Sequence, residues 1–321
     1  MNKKLIIILT LSVTLETCLN AQTHDSEKVF TEVNPPNFLV HNQLSPEIIK
    51  LEYAAGLSKG SFKTPDGQVV NRFQQNSFTF TGYPVTLINK RQQQLYLGFG
   101  YVQDWNTSFD NGNETTTLEG KREAVYLNIF FNTRIKNRFY WFSYLQGGLN
   151  GTEPFQDTDK TFNLIALNKI NYKVRRNMNI GVGVTYVSNL GKPILLPAIA
   201  FVYSQRHYLV NLDFPVKAEV EGILAQGKWR PVIGVSFPAG THYLKNSDQY
   251  LSTTGMLGYV GMRYRVFDLL YLYAAYQTGL GETYSSGTRS ERPEFGTYFG
   301  QSRFVMSLNI QVARFIPLIK E

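Results

Sequence analysis

One cysteine, Cys18, occurs in the 321 residues. It falls in an N-terminal stretch with the layout of a removable export signal, so the exported chain is expected to carry none. Without disulfides, an exported domain must be closed by other means, and a hydrogen-bonded sheet with no free edge is one. No run of about 18 or more consecutive apolar residues follows that stretch, so no membrane-crossing helix is expected. Charge is not concentrated either. Lys and Arg outnumber Asp and Glu by 32 to 24, a formal charge of +8, yet no block of about five or six like charges exists. The basic residues sit in scattered pairs, Lys90-Arg91, Arg175-Arg176 and Arg206-His207. That is not the clustered face of a nucleic-acid binder, and no nucleic-acid partner is expected. Metal-protease, phosphate-loop and dinucleotide-binding motifs are missing as well.

What is present begins with an address. Lys3 and Lys4 form a positive start, Leu5 to Val13 is apolar apart from Thr10 and Ser12, and Leu19-Asn20-Ala21 ends on a small residue before Gln22. This is the layout of a secretory signal peptide over 1–21, with cleavage after Ala21. The alternative is a lipoprotein signal on Leu15-Glu16-Thr17-Cys18, where Glu16 and Thr17 fit poorly. Residues 22–46 are polar, contain Pro35-Pro36, and read as a periplasmic linker. Residues 47–321 read as one large β domain.

Period-two alternation fills that domain. Phe304, Met306, Leu308, Ile310 and Val312 alternate with Val305, Ser307, Asn309 and Gln311. Leu95, Leu97, Phe99 and Tyr101 alternate with Tyr96, Gly98 and Gly100, and Ile180, Val182, Val184 and Tyr186 with Gly181, Gly183 and Thr185. One face is bulky and apolar; the other is polar or glycine-rich. Soluble sandwiches alternate too, but three features favour a membrane barrel. The strands are long. Short turns, such as Lys136–Arg138, Arg175–Asn177 and Gln205–His207, alternate with long polar stretches at Gly60–Gln75, Thr107–Thr117, Gly151–Asp159, Ala239–Thr254 and Leu280–Gly300. Aromatics crowd the short turns: Phe139, Tyr140, Trp141, Tyr172, Tyr203, Tyr208, Trp229, Phe267 and Tyr271. Outer-membrane barrels combine these features.

The expected fold is a transmembrane antiparallel up-and-down β-barrel of fourteen strands. They lie near 47–59, 76–88, 92–106, 117–134, 138–150, 160–174, 178–188, 194–205, 207–213, 216–225, 229–238, 255–266, 269–279 and 302–314. The even count places both termini on the periplasmic side. If the short pair joined by Phe214-Pro215 does not cross, the count is twelve.

No catalytic set emerges, and neither enzymatic activity nor a cofactor is expected. His24 and His41 lie in the linker, His207 at a short turn and His242 in a long loop, and none carries the serine pattern of barrel lipases. Asp157 and Asp159 read as a solvated loop pair, because calcium requires about six or more oxygens. The informative group is inward-facing charge. Parity puts Lys169, Asn171, Lys173, Asn211, Asp213, Lys217, Glu219, Glu221, Arg230, Arg263 and Arg265 on the lumenal face. They either line a solute-selective pore or neutralise one another in a narrow interior.

The stretch Leu212-Asp213-Phe214-Pro215-Val216-Lys217-Ala218-Glu219-Val220, then Gly227-Lys228-Trp229 and Val232-Ile233-Gly234-Val235, resembles a segment of an uncharacterised, porin-like outer-membrane barrel family of Bacteroidota. The Ala21-Gln22 junction is also common in exported proteins of that phylum. The resemblance implies an outer-membrane barrel without an assigned activity. One departure is the C-terminus: Phe315 is followed by Ile316-Pro317-Leu318-Ile319-Lys320-Glu321, whereas many barrels end on an aromatic. The expected partners are outer-membrane lipid, lipopolysaccharide and the barrel assembly machinery. The expected role is a passive pore or channel for small solutes. An accessory barrel binding partner proteins, for example of a secretion system, and an outer-leaflet enzyme without a recognisable motif are the alternatives.

Overall fold

The computed structural model describes residues 47–57, 60–63, 69–90, 93–108, 120–175, 177–188, 193–267, 270–289, 291, 294–299 and 301–311. The expected signal peptide, the linker and the tail after residue 311 lie outside the described residues, as does all but the start of the Thr107–Thr117 stretch. The strand segments are β1 (Glu47–Gly56), β2 (Gly60–Lys63), β3 (Val69–Lys90), β4 (Gln93–Ser108), β5 (Gly120–Lys136), β6 (Phe139–Gly151), β7 (Phe162–Arg175), β8 (Met178–Val187) and β9 (Ile194–Ser204). They continue as β10 (Tyr208–Phe214), β11 (Lys217–Gly222), β12 (Trp229–Ser236), β13 (Ala239–Leu244), β14 (Gln249–Arg265), β15 (Leu270–Gly287), β16 (Glu294–Phe299) and β17 (Ser302–Gln311). One helical turn, α1 (Thr158–Thr161), precedes β7.

These seventeen segments build fourteen wall strands, because three pairs are single strands with an interruption. Along β14 the register runs from Trp229↔Tyr264 through Ser236↔Leu257 and resumes at Ala239↔Thr254, so β13 prolongs β12 past Phe237-Pro238. Likewise β16 and β17 follow β15 in one register, Tyr298↔Glu282 and Ser302↔Thr278. The third pair, β1 and β2, follows β3. The ring runs β1-β3-β4-β5-β6-β7-β8-β9-β10-β11-β12-β14-β15-β17 and closes where β17 pairs with β1. The expected fourteen strands are all present, including the short pair β10 and β11, which are hydrogen-bonded on both sides. The twelve-stranded alternative does not hold.

Closure fixes the two faces. Large apolar side chains point outward and remain exposed, with Leu127, Val182 and Ile233 the clearest at 71%, 68% and 62%. Between them, inward residues are buried, among them Tyr96, Asn128, Phe130, Asn171, Leu209 and Val305. At the short-turn end, rings pair on the outer face: Phe139 with Tyr172 at 4.8 Å, Tyr203 with Tyr208 at 6.2 Å and Trp229 with Tyr264 at 4.3 Å. This is the expected girdle, with two corrections. Tyr140, between outward Phe139 and Trp141, shares the inner face with Phe142. Tyr271 is buried on the inner face, under the Arg230 guanidinium at 5.2 Å.

The long polar stretches depart furthest from expectation. The stretches 60–75, 239–254 and 280–300 are largely strand rather than loop. Beyond the hydrocarbon both faces of a strand meet water or protein, so the apolar alternation fades while backbone pairing continues. These extensions close a second, smaller ring of nine strands above the wall, β2-β3-β4-β5-β6-β13-β14-β15-β16. Its seam is a single parallel contact, Tyr243↔Gly151, reinforced by the Thr152 N–H donating to the Tyr243 carbonyl at 3.0 Å. Five wall strands, β7 to β11, separate β6 from β12 in the main ring. The β13–β14 hairpin therefore crosses the mouth as a chord, and both of its faces are buried: Thr241, Tyr243 and Ser252 on one, Leu251 and Leu244 among the rest.

Replacing Val182 by Arg should destabilise the folded barrel in lipid vesicles by about 2–4 kcal/mol, because this side chain points at hydrocarbon near mid-height. Urea unfolding followed by heat-dependent gel mobility measures it. An unchanged midpoint would contradict a lipid-facing Val182.

Candidate functional site: a paired charge ladder inside the barrel

The β10–β11 hairpin creates the site. Its two-residue connection sets Asp213 opposite Lys217 and Asn211 opposite Glu219, and strand parity turns all of them inward with Glu221. Their neighbours Ala218 and Val220 face outward. Across the next seams, β12 contributes Arg230, and β14 contributes Tyr259 and Arg263. Every carboxylate so presented is met. Glu219 accepts from Lys217 Nζ at 2.8 Å, Tyr259 Oη at 2.8 Å, Arg263 Nη2 at 3.0 Å and Asn211 Nδ2 at 3.4 Å. Glu221 accepts from Arg230 Nη1 at 3.1 Å and from Arg263 Nη1. Arg263 thus bridges the two glutamates with its forked guanidinium, a geometry lysine could not supply.

A second arm comes from β7. Lys169 Nζ lies 2.7 Å from Asp213 Oδ1 and 4.7 Å from the centre of the Phe142 ring. The strands between β7 and β10 present Gly181, Gly183, Ala198 and Ala200 inward. Small residues there leave room for the lysine stem to lie along the wall and reach a partner three strands away.

Of the nine charged residues expected to line the lumen, seven belong to this ladder: Lys169, Asp213, Lys217, Glu219, Glu221, Arg230 and Arg263. The other two stand apart. Arg265 donates from Nη2 to the Gln226 carbonyl at 3.2 Å, tying down the turn below the barrel. Lys173 sits near the end of β7, where its backbone N–H donates to the Arg138 carbonyl at 2.8 Å. Tyr259, outside the expected lumenal set, joins the site, and its inward parity and hydroxyl are the signal that marks it.

Exposure along the ladder is graded. The side chains of Glu221, Glu219 and Arg230 are 2%, 3% and 9% exposed, and Arg263 is 20% exposed. At the top of the hairpin Asp213 and Lys217 reach 31% and 33%. Burial is thus deepest toward the short turns, at Glu221, Arg230 and Tyr271, and least at the level of the hairpin tip.

The chord over the mouth carries its own polar contacts. Lys160 on α1 pairs with Asp248 at 2.7 Å and donates to the Tyr243 hydroxyl at 3.1 Å; Lys245 pairs with Glu153 at 2.7 Å. Hydrogen bonding from Lys160 and then Tyr243 holds the Asp248 carboxyl below its usual value, and Lys160 is raised by its own bonds to Asp248 and then Tyr243. These partners are more than 80 residues apart in sequence, which hid the latch from local patterns. His242, expected in a loop, is instead in β13 opposite Leu251. Burial, and then the Arg122 charge, push its imidazole down to about 3. His207 lies in a short turn, while His24 and His41 are outside the described residues. Among the described residues no group of three or more metal-ligating side chains converges, Asp157 and Asp159 included.

A family profile described as a domain of unknown function (DUF6268) matches residues 43–249, more than half of the chain. No curated protein matches the sequence. Solved structures similar to the fold include a deltaS2 mutant of the TodX monoaromatic hydrocarbon channel, at 11% identity and TM-score 0.40, with 84% of this chain and 92% of that one covered. LpxR from Salmonella typhimurium is at 7% identity and TM-score 0.35, covering 81% and 99%. The transport unit of the autotransporter AIDA-I from Escherichia coli is at 10% and 0.33, covering 87% and 99%. At these levels of likeness no residue and no role carries across.

Two outcomes follow from this geometry. Arg263→Met strands two buried carboxylates and should cost about 3–5 kcal/mol in urea unfolding, whereas Arg265→Met at the exposed rim should fall within about 0.5 kcal/mol of the parent. Equal losses would refute the ladder. The latch should release with acid. A carboxyl whose folded pKa is depressed adds stability that is complete above its unfolded value and lost as pH falls through the folded one. Amide hydrogen exchange of residues 243–251, corrected for the intrinsic pH dependence, should therefore stay slow at pH 6 and quicken as pH falls below about 3.8, and Asp248→Asn should give the faster exchange, and faster trypsin cleavage at Lys160 and Lys245, already at pH 6.

Proposed function

Since the chain belongs to the DUF6268 family, whose description assigns no activity, we propose its role from the barrel itself: an outer-membrane protein of a Gram-negative bacterium that gives small solutes a narrow, polar route across the wall. The observation that carries this reading is the segregation of charge. The outer face offers hydrocarbon, while cations and anions are gathered on the inner face and matched with one another. Closed sheets of this kind satisfy every backbone group internally, as lipid demands. The short-turn end, with both terminal strands, is then periplasmic, and the nine-stranded extension with its chord faces outward. A cleaved signal peptide, assembly by the barrel machinery, contact with lipopolysaccharide and an origin in Bacteroidota belong to the same proposal.

The ladder sets the bore. Glu219, Glu221, Arg230 and Arg263 occupy the constriction, so the native route is restrictive rather than a wide diffusion pore. Selectivity rests on which charge is left over when the pairs are counted. The seven ladder residues comprise four cations and three anions, favouring anions weakly. An accessory barrel that binds partners through its outer extension is the second reading, supported by the chord that stiffens that end.

Planar-bilayer recording tests the choice. The parent should show small conductance with slight anion preference. Glu219→Gln together with Glu221→Gln should raise the conductance several-fold and sharpen the anion preference, because two arginines lose their partners. No conductance in either protein, with the barrel folded, would leave the accessory reading in its place.

A further inference from the structure

The wall is not of even height. The hairpin of β10 and β11 ends at Phe214–Lys217, yet both flanking strands continue. The last β9–β10 pair is Phe214↔Ile199, which leaves residues 194–198 of β9 bonded, among the described residues, to β8 alone. On the other flank the β11–β12 ladder ends at Lys217↔Ser236, followed only by the Phe237 N–H donating to the Val216 carbonyl at 3.0 Å. Beyond it, β12 becomes β13 and turns away toward β6. A notch results, two strands wide, with β9 on one side, the Phe214-Pro215-Val216 tip as its sill, and Phe237-Pro238 on the other. With a rise of about 3.3 Å per residue and a tilt near 40°, the sill lies roughly 15 Å above the aromatic girdle and Ile194 roughly 25 Å. The notch therefore spans the half of the hydrocarbon layer farther from the short turns.

Three features mark it as built. Its rim is apolar and exposed: Leu195 at 68%, Val216 at 50%, Ile199 at 46%, with Phe214 and Phe237 stacked edge to face across the sill at 5.9 Å. Prolines stand at each side of it, Pro197, Pro215 and Pro238. A sheet edge facing lipid is costly because its N–H groups find no acceptor, and Pro197, on the β10-facing side of β9, removes one such donor; Pro238 turns its carbonyl to the Gly255 N–H of β14 instead. Finally, the ladder's most accessible charges, Asp213 and Lys217, lie on the inner face directly behind the sill.

We propose that the notch is a lateral opening for single-chain amphiphiles drawn from the outer leaflet, with the apolar chain passing over the Leu195, Val216 and Phe237 rim and a polar head of mixed charge meeting Lys217 and Asp213 inside. This deepens the narrow-route reading by naming a substrate class, and it rests on the barrel standing in the membrane. The paired ladder below stops the head group, so the amphiphile is held at the level of the hairpin tip.

The test uses a lysophosphatidylcholine carrying a diazirine in its acyl chain, photolysed against the full barrel in nanodiscs and mapped by peptide mass spectrometry. Annular lipid reaches only outward residues such as Val182 and Val184. Labelling of inward-facing Leu196 and Ala198, competed by unlabelled lysolipid, is the expected result. Pro197→Trp with Val216→Trp should narrow the rim and lower that inward labelling at least five-fold, leaving labelling of Val182 unchanged. Heat-shifted gel mobility confirms that the variant is folded. Label confined to outward residues in the parent, or inward labelling indifferent to the rim variant, overturns the proposal. Conductance with no inward labelling would sink the notch alone; inward labelling with no conductance would sink the transmembrane route and keep the notch.

Discussion

Lipid offers backbone amides nothing to bond with, and that one constraint orders the rest of this molecule. Every N–H and C=O at membrane height must find a partner within the sheet, so the sheet closes, and β17 returns to β1. Once it has closed, each strand has a hydrocarbon side and an inner side, and polar side chains have one place to go. The inward charge is therefore a consequence of closure before it is anything functional. What needs explaining is how so much charge is tolerated in so tight a space.

The answer lies in pairing geometry. A lone buried carboxylate would be prohibitive, and a simple buried pair only breaks even. Glu219 and Glu221 share Arg263 and each has a further cation, while Tyr259 and Asn211 occupy remaining acceptor positions. Small residues on β8 and β9 let Lys169 reach Asp213. Composition and geometry agree here: glycine and alanine make the room that long charged side chains then fill.

The sequence disclosed closure and faces well and disclosed the upper architecture badly. Alternation in segments such as Leu95–Tyr101 and Phe304–Ile310 is imposed by two unlike solvents, so it reads directly as a two-faced strand. The same physics explains the failure at 239–254. Above the lipid the β13–β14 hairpin is buried on both faces by other protein, so no alternation marks it, and its Gly, Ser and Thr residues imitate a loop. The ladder was legible as a list of inward positions, because parity alone gives that list. Its pairings were not, since Lys169 and Asp213, or Glu219 and Arg263, meet only when the ring brings distant strands together. Tyr271 shows the limit of reading aromatics by proximity to a turn: parity with Tyr273 and Ala275, rather than nearness to the girdle, decides its side.

The same constraint that closes the wall also gives the notch its meaning. A gap in a lipid-facing sheet violates the demand that every backbone donor be bonded, and the cheapest remedy is to lengthen β10 and β11 until the edges meet. This chain does not take it. It ends the hairpin early at Phe214-Pro215 and sets Pro197 on the β9 flank, removing a donor that lengthening would have bonded. It carries β13 away to β6, so that the extra-membrane sheet closes without the five strands β7 to β11, the last two of which lie below the notch. The upper ring and the gap are thus two sides of one arrangement: the chord that completes nine strands is the same segment whose departure opens the flank of the gap opposite β9. A barrel selected only for stability has no reason to keep both, and the polar pair behind the sill is where that reason is to be sought.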